Sequence, residues 1–302
     1  MRGPFLFERC GLAEDMTRAT ATAIGFVAVL LWALLALFTA GSAPVPPFLL
    51  NALTFAIGGA VGVVWLLARG RVSVLRLVPW RVYAFGTAGL FGYHALYYSA
   101  LRLAPPAEAG LIAYLWPLFI VLFSGLLPGE RLRMGHIVGA LVSFAGAALI
   151  VLRNGFSFEA SATPGLILAG FCALTWSSYS VLSRRLGTTP TEAVAVFCVL
   201  TALLSVPPHL AFESTLWPDS AFGWLSVVAL GLGPVGLAFY VWDIGVKKGD
   251  IQVLGVASYA APLLSTLVLI VAGFAQASWQ LVAAAILITV GAGIAAMASR
   301  RA

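Results

Sequence analysis

Long apolar runs separated by short polar segments recur along the whole chain. Each run is about 20 residues long, which is the length that an α-helix needs to cross the hydrocarbon core of a bilayer. Strands of a membrane barrel are excluded, because they are about ten residues long and alternate apolar with polar positions. The pattern predicts an all-α integral membrane protein with ten transmembrane helices, at residues 20–40, 48–68, 81–101, 107–127, 134–152, 164–183, 191–211, 221–244, 251–272 and 279–298.

The composition agrees with this fold class. The chain is 61% hydrophobic and only 9% charged, whereas a soluble domain carries about 25% charged residues. Its cysteines, Cys10, Cys172 and Cys198, have the spacing of neither a zinc site nor a disulfide framework. No cluster of His, Asp and Glu and no nucleophile motif is evident, so we expect no cofactor, no metal site and no enzyme activity.

The basic residues divide unequally between the two sides that ten spans define. If the N-terminus is cytoplasmic, 15 Lys and Arg lie on the cytoplasmic side and only Arg102 and Arg153 on the other, which together make all 17. Cytoplasmic segments of membrane proteins carry an excess of Lys and Arg. We therefore expect cytoplasmic tails at 1–19 and 299–302, with Met16 as an alternative start. This distribution explains the net charge of +6 without nucleic acid as a partner.

The two halves of the chain repeat each other. The sequence YLWPL at 114–118 recurs as YAAPL at 259–263, so that the tyrosine and the proline are each displaced by 145 positions. Five spans in each half make the second half enter the membrane from the opposite face. The halves, 20–152 and 164–298 with the linker 153–163, are therefore predicted to be inverted repeats. Secondary transporters with such repeats place the substrate site near the midplane, so we expect a central cavity there.

Pro117 and Pro262 lie halfway along the fourth and the ninth spans. Because proline has no N–H, each removes the helix hydrogen bond to the carbonyl four residues back, that of Ala113 or Ser258. Broken helices at matching positions of two inverted halves indicate a transport site, where water or a polar substrate satisfies the carbonyl. The alternative is a plain kink, in which neighbouring helices satisfy the carbonyl.

Aromatic residues gather near the predicted span centres, although Tyr and Trp usually lie at membrane interfaces. His94 is the one histidine well inside a predicted span, and it either contacts substrate or is a buried imidazole bonded to a neighbouring hydroxyl or carbonyl. Trp32 and Trp176 either line the cavity or pack in the core. The others near span centres or in the third span are Tyr93, Tyr97, Tyr98, Tyr114, Trp116, Tyr179 and Tyr259.

The positions of charged residues near the span ends indicate structural roles. Asp243 lies near the cytoplasmic end of a predicted span, and its i,i+4 spacing to Lys247 predicts a local ion pair. Glu130, in LPGERLR, is expected to pair with the adjacent arginines. Trp242 is the repeat counterpart of Tyr97, and the two could line or gate opposite ends of a path.

These sequences resemble the drug/metabolite transporter superfamily, in its ten-span form with two EamA-type halves. The resemblance depends on LLW at 30–32, LTW at 174–176, YLWPL at 114–118 and GVASYAAPLLSTL in the ninth span. The stretches YHALY and YLWP are similar to those of the superfamily's bacterial aromatic amino acid exporters. The second half departs from the pattern, because it has AGFAQAS where the first has LPGERLR. Symmetry is therefore not expected at the helix ends.

The resemblance implies an exporter of aromatic and other neutral amino acids, working by alternating access in the bacterial inner membrane. The same fold carrying a different metabolite or a drug is the alternative, and a membrane-embedded enzyme is a remote one. We expect a monomer, with a dimer as the alternative. The implied substrate-binding residues are Trp32, His94, Tyr97, Tyr114, Trp116, Pro117, Trp176, Ser258, Tyr259 and Pro262.

The charge distribution generates a topology prediction. In intact cells, a membrane-impermeant thiol reagent should label single cysteines placed in the 213–219 loop but not in the 247–250 loop, because the second loop faces the cytoplasm. Labelling of both positions in permeabilised cells is the control for reactivity. The reverse pattern in intact cells would contradict the inverted-repeat topology.

Overall fold

The computed structural model describes residues 16–152 and 159–300, and the regular secondary structure of these residues is helical. Most of the predicted N-terminal tail with Cys10, the first part of the predicted linker with Arg153, and residues 301–302 lie outside this range. The helices are α1 (Arg18–Trp32), α2 (Leu35–Gly41), α3 (Pro47–Ala68), α4 (Trp80–Leu103), α5 (Pro106–Ala113), α6 (Trp116–Ser124), α7 (Met134–Val151), α8 (Thr163–Arg185), α9 (Ala193–Phe212), α10 (Ala221–Leu232), α11 (Ala238–Lys248), α12 (Ile251–Ala257), α13 (Ala260–Val271) and α14 (Trp279–Arg300), with short helical turns at Val72–Leu77, Ala160–Ala162 and Gly233–Leu237.

Nine stretches within the described residues are long and apolar enough to cross a membrane. The predicted third span is also a helix, the 24-residue α4, but its histidine and its row of tyrosines make it less apolar than the other nine. The all-helical membrane fold is thus confirmed. The number of strongly apolar spans is nine rather than ten, because the most polar aromatic side chains are concentrated in one helix.

Four of the membrane-length stretches are interrupted in mid-course. The interruptions before Pro117 and Pro262 separate α5 from α6 and α12 from α13, as the proline positions predict. A π-helical turn at Gly233–Leu237 separates α10 from α11, and α1 stops at Trp32 before α2 begins at Leu35. These last two interruptions were not predicted, although Pro234 in the π-helical turn is a visible signal for one of them.

Helices of the two predicted halves pair with each other. α3 packs along α9, α7 along α14, α4 along α8 and α1 along α11, while α6 crosses α12. Several of these contacts depend on glycine. A Cβ atom on Gly25 of α1 would lie 2.8 Å from the Cα of Gly245 in α11, and one on Gly58 would lie 2.7 Å from the Cα of Gly236. We call the end of the bundle where α1 begins the Arg18 end, and the opposite end, where α9 finishes, the Glu213 end.

Replacing Gly25 by Ala should destabilise the protein by about 1–3 kcal/mol, because the added methyl group meets the backbone of α11 and forces the two helices apart. Thermal unfolding of the purified protein in detergent measures the effect. Gly293→Ala is the matched control, since a Cβ on Gly293 of α14 meets nothing within 4 Å. Equal melting temperatures for the two variants would show that the contact between α1 and α11 tolerates a wider spacing.

Candidate functional site

Four tryptophans from four helices meet inside the bundle. Trp32 ends α1, Trp116 begins α6, Trp176 lies in α8 and Trp242 in α11. All six pairs of their rings are in contact, with centroids 5.1–6.4 Å apart. Most pairs are edge-to-face or tilted, which is the geometry that aromatic quadrupoles favour. We call this group the tryptophan cluster, and it joins the two predicted halves of the chain.

Two of the four indole N–H groups have a partner in the protein. Trp32 Nε1 donates to the Pro234 carbonyl at 3.1 Å, which ties the end of α1 to the π-helical turn. Trp242 Nε1 donates to Ser180 Oγ at 3.1 Å. Across 16–152 and 159–300, Trp116 and Trp176 have no hydrogen-bond partner for this group. Their N–H groups are therefore available to a ligand or to water.

A row of tyrosines from α4 lies beside the tryptophan cluster. The Tyr93 ring is 5.4 Å from Trp176, and Tyr97 stacks on Tyr93 at 6.1 Å. The hydroxyls of Tyr93, Tyr97, Tyr98 and Tyr114 make no hydrogen bond to any residue that the structure describes, and all four side chains are half-buried. Since a phenol both donates and accepts, the row offers several unused hydrogen-bonding groups.

Partial exposure is uniform along the second half of α4. Positions 81–90 mix exposed and buried residues, but every residue from Phe91 to Ser99 is half-buried. A helix with lipid on one face and a packed core on the other would continue the mixed pattern. The partial exposure is therefore not confined to one face of this part of α4.

His94 is bonded to its own helix. Its Nδ1 lies 2.7 Å from the Leu90 carbonyl oxygen, and because a carbonyl only accepts, Nδ1 carries the hydrogen. In the neutral ring Nε2 is then an acceptor. The ring lies 5.0 Å from that of Phe55 and 6.2 Å from that of Phe239. The bond to the Leu90 carbonyl leaves Nε2 without a partner among the described residues.

The predicted site residues of the ninth span lie apart from the tryptophan cluster. Ser258, Tyr259 and Pro262 are buried, and Tyr259 packs in a second apolar cluster, where its ring is 5.9 Å from Phe144. Its hydroxyl accepts a hydrogen bond from the backbone N–H of Leu118 at 3.1 Å. The first N–H groups of a helix have no partner within that helix. Tyr259 therefore holds the start of α6.

The carbonyl of Ser258 is not free, which corrects the expectation drawn from Pro262. The Ala261 N–H donates to it at 3.1 Å, and the Ser258 hydroxyl donates to the Leu254 carbonyl at 2.7 Å. A tight i→i+3 turn satisfies the group that the proline would leave unpaired. Pro117 is buried at the second position of α6, directly after Trp116. Of the two proline breaks, only that of the fourth span therefore adjoins the tryptophan cluster.

Charged residues close the Arg18 end. Glu130 was expected to pair with the adjacent arginines, and this is wrong. Its carboxylate instead bonds Arg18 of α1 at 2.9 Å and Arg184 of α8, because both arginines project over the loop that follows α6. The expected pair of Asp243 with Lys247 is confirmed at 2.8 Å.

The Glu213 end has its own polar contact. Glu213 bonds Arg102 at 2.9 Å and accepts from the N–H groups of Phe48 and Leu49 at the start of α3. No group of three or more His, Cys, Asp or Glu in the described part of the chain could hold a metal ion. The chemistry offered inside the bundle is therefore that of aromatic faces, indole N–H groups, hydroxyls and one imidazole.

The structure brings together Trp32, His94, Tyr97, Tyr114, Trp116 and Trp176 of the expected set. Sequence reasoning left three neighbours out of that set, Tyr93, Tyr98 and Trp242. The position of Trp242 as the repeat counterpart of Tyr97 was a signal that could have included it. Tyr93 and Tyr98 could have been included because they lie on the same helix as His94, one and four residues away from it.

The chain matches known transporters along nearly its whole length. The EamA-like transporter family matches residues 20–152 and again 163–297. The aromatic amino acid exporter YddG of Ancylobacter novellus is 58% identical over 289 residues, covering 95% of this chain and all 100% of that protein. The exporter of the same name from Salmonella typhimurium is 26% identical, with coverage of 95% and 100%.

The fold of the chain is also similar to that of a solved crystal structure. It superposes with a TM-score of 0.91 at 58% identity, covering 94% of this chain and 99% of that chain. Both predicted halves of the chain match the same family model, so the match does not depend on one local motif. The protein belongs to the EamA-like transporter family.

Proposed function

We propose that the protein exports aromatic and other neutral amino acids across the bacterial inner membrane by alternating access. The observation that carries this proposal is the tryptophan cluster with the unbonded tyrosine hydroxyls beside it. Aromatic faces suit an apolar or aromatic side chain, and the hydroxyls suit the polar groups of an amino acid. The names of the similar exporters support the same cargo.

The polar groups divide between the two charges of the substrate. The carboxylate is best served by donors, which are the N–H groups of Trp116 and Trp176 and the tyrosine hydroxyls. The ammonium group is best served by aromatic faces, through cation–π attraction, and by Nε2 of neutral His94 as an acceptor. No Lys or Arg is required at the site.

The ten-span inverted repeat is part of this proposal. α4 supplies the tenth span, and the double family match supports two equivalent halves. The helix pairs support it further. Exchanging the halves converts the α1–α11 pair into the α8–α4 pair and leaves α3–α9 and α7–α14 unchanged as pairs. All residues of the tryptophan cluster and the tyrosine row come from one chain. The candidate site therefore needs no second subunit, which favours a monomer.

We infer that the bundle is closed at the Arg18 end and open at the Glu213 end. The Arg18 end carries most of the basic residues, so we place it in the cytoplasm. There the ion pairs of Glu130 join α1 and α8 to the loop that follows α6. From the half-buried tyrosines of α4 we infer that space between the helices reaches them from the Glu213 end, which we place in the periplasm. This state would release an amino acid outward.

The cargo can be tested with purified protein in liposomes and a panel of labelled amino acids. Aromatic and other neutral amino acids should equilibrate across the membrane faster than in protein-free liposomes, while acidic and basic ones should not, because the site offers no charged partner. A panel in which no amino acid moves, but a drug or another metabolite does, would exclude the proposed cargo.

The hydroxyl row can be tested with Tyr97→Phe. Transport efficiency should fall about tenfold, because one hydrogen bond to substrate is worth about 1 kcal/mol or slightly more. Tyr83→Phe is the matched control, since the Tyr83 hydroxyl bonds the Leu75 carbonyl at 2.7 Å outside the site. Equal transport by both variants in the same liposome assay would remove Tyr97 from the site.

Energy coupling can be tested through His94. Proton-driven carriers place a titratable group in the path, and the acid inside the α10–α11 span, Asp243, is already bonded to Lys247. We expect substrate to equilibrate without any ion gradient, and a pH gradient should not drive accumulation. Accumulation that collapses with a protonophore and is lost in His94→Gln would instead show proton antiport.

A further inference from the structure

Four charged side chains form a connected cluster at the Arg18 end. Glu130 bonds Arg18 through Oε2 at 2.9 Å and Arg184 through Oε1. Arg18 also lies 3.6 Å from Asp250 Oδ2, and Arg184 donates to the carbonyls of Val246 and Gly249 at 2.9 and 2.8 Å. We call Arg18, Glu130, Arg184 and Asp250 the charge cluster.

The charge cluster joins elements from both predicted halves. Arg18 begins α1 and Glu130 follows α6, whereas Arg184 ends α8 and Asp250 lies between α11 and α12. Opening the Arg18 end to a substrate requires these elements to separate. The hydrogen bonds of Glu130 and Arg184 would then be among the contacts that break.

The middle of the charge cluster is shielded from water. The Glu130 side chain is 5% exposed and that of Arg184 is 17% exposed, while Arg18 at the edge is 50% exposed. Removing one partner from a buried ion pair is costly because it leaves the other charge desolvated and unpaired. Glu130 is the member that bonds both arginines.

The opposite end has no counterpart of this cluster. The repeat displacement of 145 positions relates Arg18, Glu130, Arg184 and Asp250 to Thr163, Ala275, Thr39 and Pro105. A displacement of 144 positions changes these to Ala162, Phe274, Ala40 and Pro106, which are also uncharged. By contrast, Arg102 at the Glu213 end corresponds to Lys247 at the Arg18 end, and each of these bonds an acid. The charge cluster is thus one-sided, whereas this second kind of ion pair is present at both ends.

We propose that the charge cluster is a one-sided lock that sets the resting state of the transporter. It stabilises the state closed at the Arg18 end, and the inverted state gains no equivalent bonds, so the empty protein rests with its site open at the Glu213 end. This inference rests on the proposed alternating access, but it concerns the equilibrium between states rather than the cargo.

The lock can be tested by cysteine reactivity in a background in which Cys10, Cys172 and Cys198 are replaced by Ser. One reporter is Ser183→Cys, at a position that is 4% exposed in the last turn of α8, and the other is Ser99→Cys, in the half-buried part of α4. The rate of labelling by a polar maleimide is measured on the purified protein in detergent. No substrate is needed.

Glu130→Gln should speed labelling of the Ser183→Cys reporter roughly fivefold or more and slow that of Ser99→Cys, because the equilibrium moves toward opening at the Arg18 end. Asp219→Asn is the matched control. It removes one carboxylate from an exposed loop position outside the charge cluster, and both reporters should keep their rates.

Two further measurements test the lock even if the Glu130→Gln variant does not fold. Arg18→Gln, at the exposed edge of the cluster, should give a smaller shift in the same direction. Raising the salt concentration should speed labelling of Ser183→Cys in the otherwise unaltered background, because salt screens partly exposed pairs. Unchanged rates in both measurements would overturn the lock. A shift in rates together with failure of amino acid transport would retain the lock and reject only the cargo.

Discussion

The structure depends on one constraint of the bilayer, namely that every backbone N–H and carbonyl in lipid must find a partner inside the protein. Each interruption of a span would violate it without a specific repair. Tyr259 supplies an acceptor to Leu118 at the start of α6, Trp32 supplies a donor to Pro234 in the π-helical turn, and a tight turn satisfies Ser258. Two of these repairs cross between the halves, so the bonds that permit broken helices also hold the tryptophan cluster in place.

The fold class follows from the sequence because lipid leaves so few solutions for apolar runs of membrane length. The interruptions before Pro117 and Pro262 follow as well, since a missing N–H acts locally. The interruption after Trp32 could not be predicted, because no proline or glycine lies there and the bond from Trp32 to the π-helical turn is a tertiary contact. Glu130 was assigned to the wrong arginines for the same reason, since sequence proximity does not reveal which helix ends meet.

The sequence predicted which residues belong to the candidate site better than it predicted how they are arranged. Residue type and depth identified Trp32, Trp116, Trp176 and His94, and the structure places these four near one another. Depth alone does not give the direction of a side chain. Tyr259 and its repeat counterpart Tyr114 illustrate this, because the first hydroxyl is bonded to Leu118 whereas the second has no bonding partner within the described residues. The equivalence of the halves in sequence therefore does not extend to the contacts in this state.

The tyrosines and the histidine of α4 also affect how the protein is made. A helix enters the membrane from the insertion machinery according to its apolarity, and polar residues near the centre oppose that step. α4 is the span that carries the hydroxyl row, so it is the weakest insertion signal of the set. It therefore relies on neighbours that leave the ribosome close to it, α3 before and α5 after, both of which contact it in the folded protein. Biosynthesis thus limits how polar this part of the site can become.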